Sequence, residues 1–114
     1  MANVESLRIY KKALELVKTI YQLVKDNPKL SKDFSLCDQL KRAAVSVITN
    51  IAEGYFRSKK QSQNYLEISS GSTNEVVSIL KIVKVVYKID TNLLQENYTV
   101  LGKQINSFSS TFNR

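Results

Sequence analysis

Three lysines, Lys11, Lys18 and Lys25, recur every seven residues, with Arg8 and Lys12 beside them. On a helix a step of seven returns to nearly the same face, so these residues form a ladder of flexible cations on a fixed frame. A phosphate backbone requires such a ladder, because each cation neutralises a phosphate and releases its counterions. Lys41, Arg42, Arg57, Lys59 and Lys60 form a second basic group. These ten residues are the candidate nucleic-acid contacts. A lysine stripe on a helix is also an ordinary solvated surface, and the spacing alone does not separate the two readings. Tyr55 and Phe56 directly precede Arg57. They could stack on bases; equally, Tyr55 could close a helix end against the core while Phe56 meets another subunit.

Asn50 with Glu53, and Asn74 with Glu75, are polar pairs within otherwise apolar stretches. Carboxylates can do acid and base work, but only with converging geometry and shifted pKa values. The simpler expectation is a structural polar network of Arg42, Asn50, Glu53, Asn74 and Glu75 that sets the register between helices. The chain has no histidine, the commonest general base and metal ligand. No glycine-rich phosphate loop or cysteine cluster is present, and the lone Cys37 has no histidine to activate it. The expectation is therefore a protein that is not an enzyme, with no catalytic residues, metal or cofactor.

The elements that must position these residues follow from periodicity and breakers. One proline, Pro28, and three glycines in 114 residues favour long helices over many short strands. The first helix should run from about Ser6 to Asp26 and stop before Pro28. It carries two apolar seams, Leu7, Tyr10, Leu14, Val17, Tyr21, Val24 and Ile9, Ala13, Leu16, Ile20, Leu23, separated by roughly 110°. The extra seam implies either deep burial or contact with another subunit. The basic ladder is expected opposite these seams, with Tyr10 and Tyr21 as core residues whose hydroxyls reach the rim.

The second helix is expected from about Asp33 to Tyr55, with Leu36, Leu40, Ala44, Val47 and Ile51 inward and Gly54 as terminator. Its small residues Ala43, Ala44, Ser46 and Ala52 would let a neighbour approach closely. The third should start after Ser58, whose spacing to Gln61 matches a capping box, and reach about Ile89. It buries Leu66, Val76, Leu80, Val83 and Tyr87, and its weak Ser69-to-Thr73 stretch needs tertiary packing to stay helical. The fourth runs from about Asn92, with an Asn92-to-Gln95 cap, to Phe108 or beyond, on Leu94, Tyr98, Leu101, Ile105 and Phe108. Short connections make neighbours antiparallel. These expectations amount to an all-α, up-down four-helix bundle in one domain spanning 1–114.

The run from Asp38 to Gly54, DQLKRAAVSVITNIAEG, resembles the QLRRAAVSIPSNIAEG core of small bacterial four-helix-bundle proteins. That family is named for an intervening sequence in large-subunit ribosomal RNA genes. Tyr65 to Leu80 (YLEISSGSTNEVVSIL) and Leu7 to Leu16 (LRIYKKALEL) extend the resemblance over nearly the whole chain. Where the family often has a proline inside Ser-Ile-Pro-x-Asn, this chain has Val47-Ile48-Thr49 after Ser46, so no proline kink is expected there. These proteins are similar in turn to the accessory protein of diversity-generating retroelements. The resemblance implies a homopentameric ring, a partner RNA or DNA, and a reverse transcriptase as a protein partner.

Net charge fits that expectation, since 17 basic residues stand against 10 acidic, giving +7. The excess lies in the first half, where residues 1–60 carry 12 basic and 6 acidic groups. A basic, non-catalytic, nucleic-acid-binding adaptor is the first reading. The alternative is a protein–protein scaffold whose charge serves only solubility. Membrane association is disfavoured, because the basic residues lie opposite seams that the bundle needs for its core. The chain lacks a signal-peptide pattern and any apolar run near ~20 residues. With one cysteine, it is expected in the cytoplasm.

Overall fold

The computed structural model describes residues 4–55 and 57–113. Its long helices are α1 (Val4–Asp26), α3 (Phe34–Glu53), α4 (Lys59–Tyr87) and α5 (Asn92–Ser110). A one-turn helix, α2 (Pro28–Ser31), follows α1, and a 3-10 turn spans Thr111–Asn113. The described residues contain no strand, and the helical bundle measures 46 × 19 × 19 Å. Around it the order is α1, α3, α4, α5 and back to α1. The diagonal pairs α1–α4 and α3–α5 make no close backbone approach among the described residues.

Every adjacent pair is antiparallel, because contact positions rise in one helix as they fall in the next. Ser6 meets Tyr55 while Tyr21 meets Lys41. Gly54 meets Ser62 while Val47 meets Ser69. Thr91 meets Leu80 while Gly102 meets Thr73.

Local chemistry sets the boundaries. Asp33 caps α3 by accepting from the Leu36 amide at 3.2 Å, and Ser58 caps α4 by accepting from Gln61 at 3.3 Å. Both side chains satisfy amides that a helix start leaves unpaired. Pro28 ends α1 and also starts α2, where a missing N–H costs nothing at the first helical position. That short helix, absent from the periodicity reading, buries Leu30, whose carbonyl accepts from Cys37 Sγ at 3.1 Å. At this same end of the bundle α4 closes at Lys88 in the left-handed region, φ 57° and ψ 34°, just after Tyr87, whose hydroxyl reaches Asp33. The α5 cap falls one residue earlier than the Asn92 pattern indicates. Thr91 holds the cap position, Asp90 accepts from the Asn92 amide, and Thr91 Oγ1 donates to the buried Leu80 carbonyl at 2.9 Å.

The core is one apolar column. Ile9, Ala13, Leu16, Ile20 and Val24 supply it from α1, and Leu40, Ala43, Ala44, Val47 and Ile51 from α3. Leu66, Val76, Leu80 and Val83 join from α4, with Leu94, Tyr98, Leu101, Ile105 and Phe108 from α5. Burial of these side chains is the main term holding the fold. Leu36 and Tyr87 are only half-buried, and Ala52 is exposed, so it is not part of a close helix contact.

The weak middle of α4 stays helical because its hydroxyls are used. Ser62 donates to the Gly54 carbonyl at 2.7 Å, and Ser69 donates to the Val47 carbonyl at 2.6 Å. Ser46 and Ser72 hydroxyls meet at 2.8 Å, and Thr73 donates to the Ser70 carbonyl at 2.6 Å. Small side chains thus bring α3 and α4 close together and satisfy their own polar atoms in the same step.

Candidate nucleic-acid interface

The ladder stands where a helical surface puts it. Lys11, Lys18 and Lys25 are exposed along α1, spanning about 21 Å at 1.5 Å per residue. They lie opposite the buried seam of Ile9, Ala13, Leu16 and Ile20. Arg8 is exposed and Lys12 half-buried, on the side of α1 that turns towards α5.

The second basic group divides in two. On α3, Arg42 Nε is 2.9 Å from Asp38 Oδ2, and Lys41 Nζ sits 4.8 Å from the centroid of the Tyr21 ring. Between α3 and α4, Arg57 donates to the Glu53 carbonyl and carboxylate at 3.1 and 3.2 Å and lies 5.7 Å from the Tyr65 ring centre. Lys59 and Lys60 are exposed in the first turn of α4. The ten candidates therefore occupy three places: a ladder on α1, a pair beside it on α3, and a cluster at the α3–α4 turn. They form an exposed surface and no enclosed site. Such a surface can hold an extended polyanion, and the grooves that Arg57 and Lys41 border are open rather than enclosed.

The expected register network of Arg42, Asn50, Glu53, Asn74 and Glu75 takes a different form. Arg42 and Glu53 each pair within four residues, with Asp38 and Arg57. Asn50 donates to the Ser46 carbonyl and hydroxyl at 2.9 and 3.0 Å. Asn74 and Glu75 are exposed. The contact that crosses from α3 to α4 on this face is Ser46 to Ser72. Hydroxyls on short side chains reach a neighbour only 2.8 Å away, whereas long charged side chains at close-packed positions must turn outward to solvent.

The expectation for Tyr21 is revised, whereas Tyr10 packs against the core as expected. Tyr21 is 44% exposed under Lys41, while Tyr10 is half-buried. Tyr55 is half-buried with its hydroxyl accepting from Ser6 Oγ at 3.2 Å, which accords with closing the helix end. Phe56 lies outside the described residues.

The structure separates the two apolar seams of α1. Ile9, Ala13, Leu16 and Ile20 are the core, whereas Leu7 and Leu14 are 47% and 53% exposed. Leu7, Leu14 and Tyr21 share the seven-residue period of the lysines and precede each lysine by four residues. The basic ladder therefore runs beside an exposed apolar ridge. This ridge borders the α1–α3 groove, which opens to about 490 Å³ between Leu7, Tyr10, Ala52 and Tyr55. Among the described residues, no three His, Cys, Asp or Glu side chains come together as metal ligands. No helix among the described residues is long and apolar enough to cross a membrane.

The family model of the 23S rRNA-intervening sequence protein matches residues 5–111. A crystal structure of a protein of unknown function from the S23 ribosomal protein family of Bacteroides thetaiotaomicron has the same fold, with a TM-score of 0.84. That likeness covers 94% of this chain and 99% of the other at 22% identity. No curated protein matches this chain.

Proposed function

The chain belongs to the family of 23S rRNA-intervening sequence proteins, and we propose that it is a non-catalytic, homo-oligomeric adaptor that holds structured RNA on the basic face of α1. The observation that carries this reading is the exposed ladder Lys11, Lys18 and Lys25 on one rigid helix. Arg8 and Lys12 continue the basic surface along α1, and Lys41 and Arg42 flank it from α3. The cluster of Arg57, Lys59 and Lys60 offers a second contact near the end of the bundle. Each cation contributes a small, salt-screened term, and repetition over the copies of an oligomer sums such terms along one polyanion. Resemblance to the retroelement accessory protein adds a reverse transcriptase as the protein partner, and the single cysteine fits a reducing cytoplasm as the place of action. A pentameric ring is the assembly that the same resemblance supports.

A second reading rests on the ridge of Leu7, Leu14 and Tyr21. An apolar stripe this exposed on a small bundle marks a protein contact, and a scaffold with protein partners alone would use it without nucleic acid.

Nuclease-treated protein, titrated with labelled structured RNA and duplex DNA at several salt concentrations, separates the two. The adaptor binds at low salt, and the combination of Lys11→Glu, Lys18→Glu and Lys25→Glu weakens binding and flattens the log–log salt slope by about two to three. Absence of binding at low salt from a well-folded protein overturns the adaptor in favour of the scaffold. Binding that the triple variant leaves unchanged removes α1 as the contact.

A further inference from the structure

Two exposed ridges of the same period flank α3. On the α1 side stand Leu7, Leu14 and Tyr21, and on the α4 side Ile68, Glu75 and Ile82. Leu14 and Ile68 are each 53% exposed. Ile68 is on the flank of α4 turned to α3, because it lies one turn before Ser72, which touches Ser46 across the helix pair.

The heights of the ridges follow from the cross-helix contacts. With Ser6 at Tyr55 and Tyr21 at Lys41, Leu14 stands near the height of Val47. The Val47 carbonyl accepts from Ser69, so Leu14 is also level with Ile68. By the same steps Tyr21 is level with Glu75.

The charges beside the two ridges are opposite. Residues 7–25 carry five basic side chains, Arg8, Lys11, Lys12, Lys18 and Lys25, and one acidic, Glu15. On α4, Glu67 and Glu75 accompany the Ile68–Glu75 part of the ridge, with no basic group over residues 61–80. Lys81 and Lys84 follow beside Ile82, Lys84 donating to Asn92 of α5 at 2.7 Å, so the opposite charge belongs to the Ile68 end of the ridge. Packing α1 on a second α1 would set one lysine ladder against another, a like-charge contact that costs free energy on close approach. Packing α1 on α4 of another copy sets the lysines against carboxylates and closes Leu14 over Ile68.

We infer that the α1 ridge and the α4 ridge are the two halves of one head-to-tail interface, and that the occupant of each is a second copy of this chain. This rests on the homo-oligomeric part of the proposed function and adds which surfaces meet. A heterologous contact of this kind closes into a ring when its two surfaces are set at an angle. Here they are, because they lie on the two sides of the bundle that meet at α3. In such a ring α3 faces the axis. Lys18 and Lys25 stand at the rim of the contact, where salt screens them, and the apolar pair of Leu14 and Ile68 lies at its centre.

The test uses two single variants, Leu14→Glu and Ile68→Glu, each retaining one intact ridge. Both positions are exposed, and helical circular dichroism and melting verify that each variant folds. Light scattering of each alone should give the mass of one 13.0 kDa chain. An equimolar mixture should form a 1:1 heterodimer and nothing larger, because one good α1 ridge and one good α4 ridge remain per pair. If either variant alone keeps the wild-type assembly, or if the mixture stays monomeric, the pairing of these faces is overturned. Should a glutamate variant fail to fold, a chain carrying Leu14→Cys, Ile68→Cys and Cys37→Ala gives the same decision. Oxidation should link it into covalent multimers, and a product of single chains only overturns the pairing. A wild-type protein that is already monomeric overturns the homo-oligomer itself. RNA binding, measured separately on the same samples, decides the adaptor reading whichever way the assembly falls.

Discussion

Gly102 of α5 lies so close to Thr73 of α4 that a Cβ added to the glycine would stand 2.5 Å from Thr73 Oγ1 and 3.4 Å from Thr73 Cβ. Thr73 Oγ1 is not free to swing away, since it donates to the Ser70 carbonyl at 2.6 Å. Alanine in place of a helical glycine gains about 1 kcal/mol of propensity. Overpacking a close helix contact costs about 1–3 kcal/mol, and here it also strains a buried hydrogen bond. Gly102→Ala is therefore expected to lower stability in denaturant titration, and adding Thr73→Ala should recover most of the loss. A stabilised Gly102→Ala protein would show that the two helices separate easily at this point.

Tyr98 is fully buried, and among the described residues its hydroxyl has no hydrogen-bond partner. Burial pushes its phenol far above the ordinary value, because the phenolate cannot be solvated there. Removing an unpaired buried hydroxyl removes its desolvation penalty while keeping the ring that fills the core. Tyr98→Phe should be at least as stable as the wild type and up to ~2 kcal/mol more so. A marked loss in the melting temperature would reveal a partner for the hydroxyl in solution.

The two seams of α1 should respond differently to the same chemistry. Ile20 is fully buried in the bundle, whereas Leu14 is half exposed. A carboxylate at Ile20 has no partner and no water, so Ile20→Asp is expected to cost more than ~4 kcal/mol and abolish cooperative unfolding. Leu14→Asp should leave the helical circular dichroism and the fold intact. If both variants fold alike, the assignment of core and ridge on α1 fails.

Asp33 accepts from the Tyr87 hydroxyl at 2.6 Å as well as from the Leu36 amide. The bond from Tyr87, then that from Leu36, holds the Asp33 carboxyl below its ordinary value, and the same Asp33 bond holds the Tyr87 phenol above its own. A depressed carboxyl stabilises above its unfolded pKa and loses that contribution as pH falls through the folded one. A raised phenol stabilises below its unfolded pKa and loses it as pH rises through the folded one. The contribution therefore spans about pH 4 to 10 and fades at both ends. The stability gap between wild type and Tyr87→Phe should be constant across that window and shrink below it. A gap that persists undiminished in acid would mean that Asp33 does not titrate with this bond.

Helix content, helix order and most of the core were legible in the sequence. Apolar spacing is a direct record of which face a helix buries, and Ser58, Asp33 and Pro28 mark boundaries through bonds or rings within a few residues. The basic ladder was equally legible, since exposure of a lysine on an amphipathic helix needs no tertiary information.

Three features were not. Which seam of α1 faces inward was undetermined, because Leu7, Leu14 and Tyr21 are as apolar and as regularly spaced as Ile9, Ala13, Leu16 and Ile20. Only the position of α3 and α5 decides between them. The register network was expected among Arg42, Asn50, Glu53, Asn74 and Glu75, whereas Ser46, Ser69 and Ser72 make the bonds between α3 and α4, and of the five Asn50 joins them through the Ser46 hydroxyl. A serine's partner depends on how closely another backbone approaches, and periodicity holds no distance. The opposed ridges beside α3 came last, as they exist only once four helices have been placed around one axis. The sequence by itself determined the helices and their charges, which are local in origin. The tertiary structure alone decided which apolar surface was left over, because burial is settled by neighbours that lie far away along the chain.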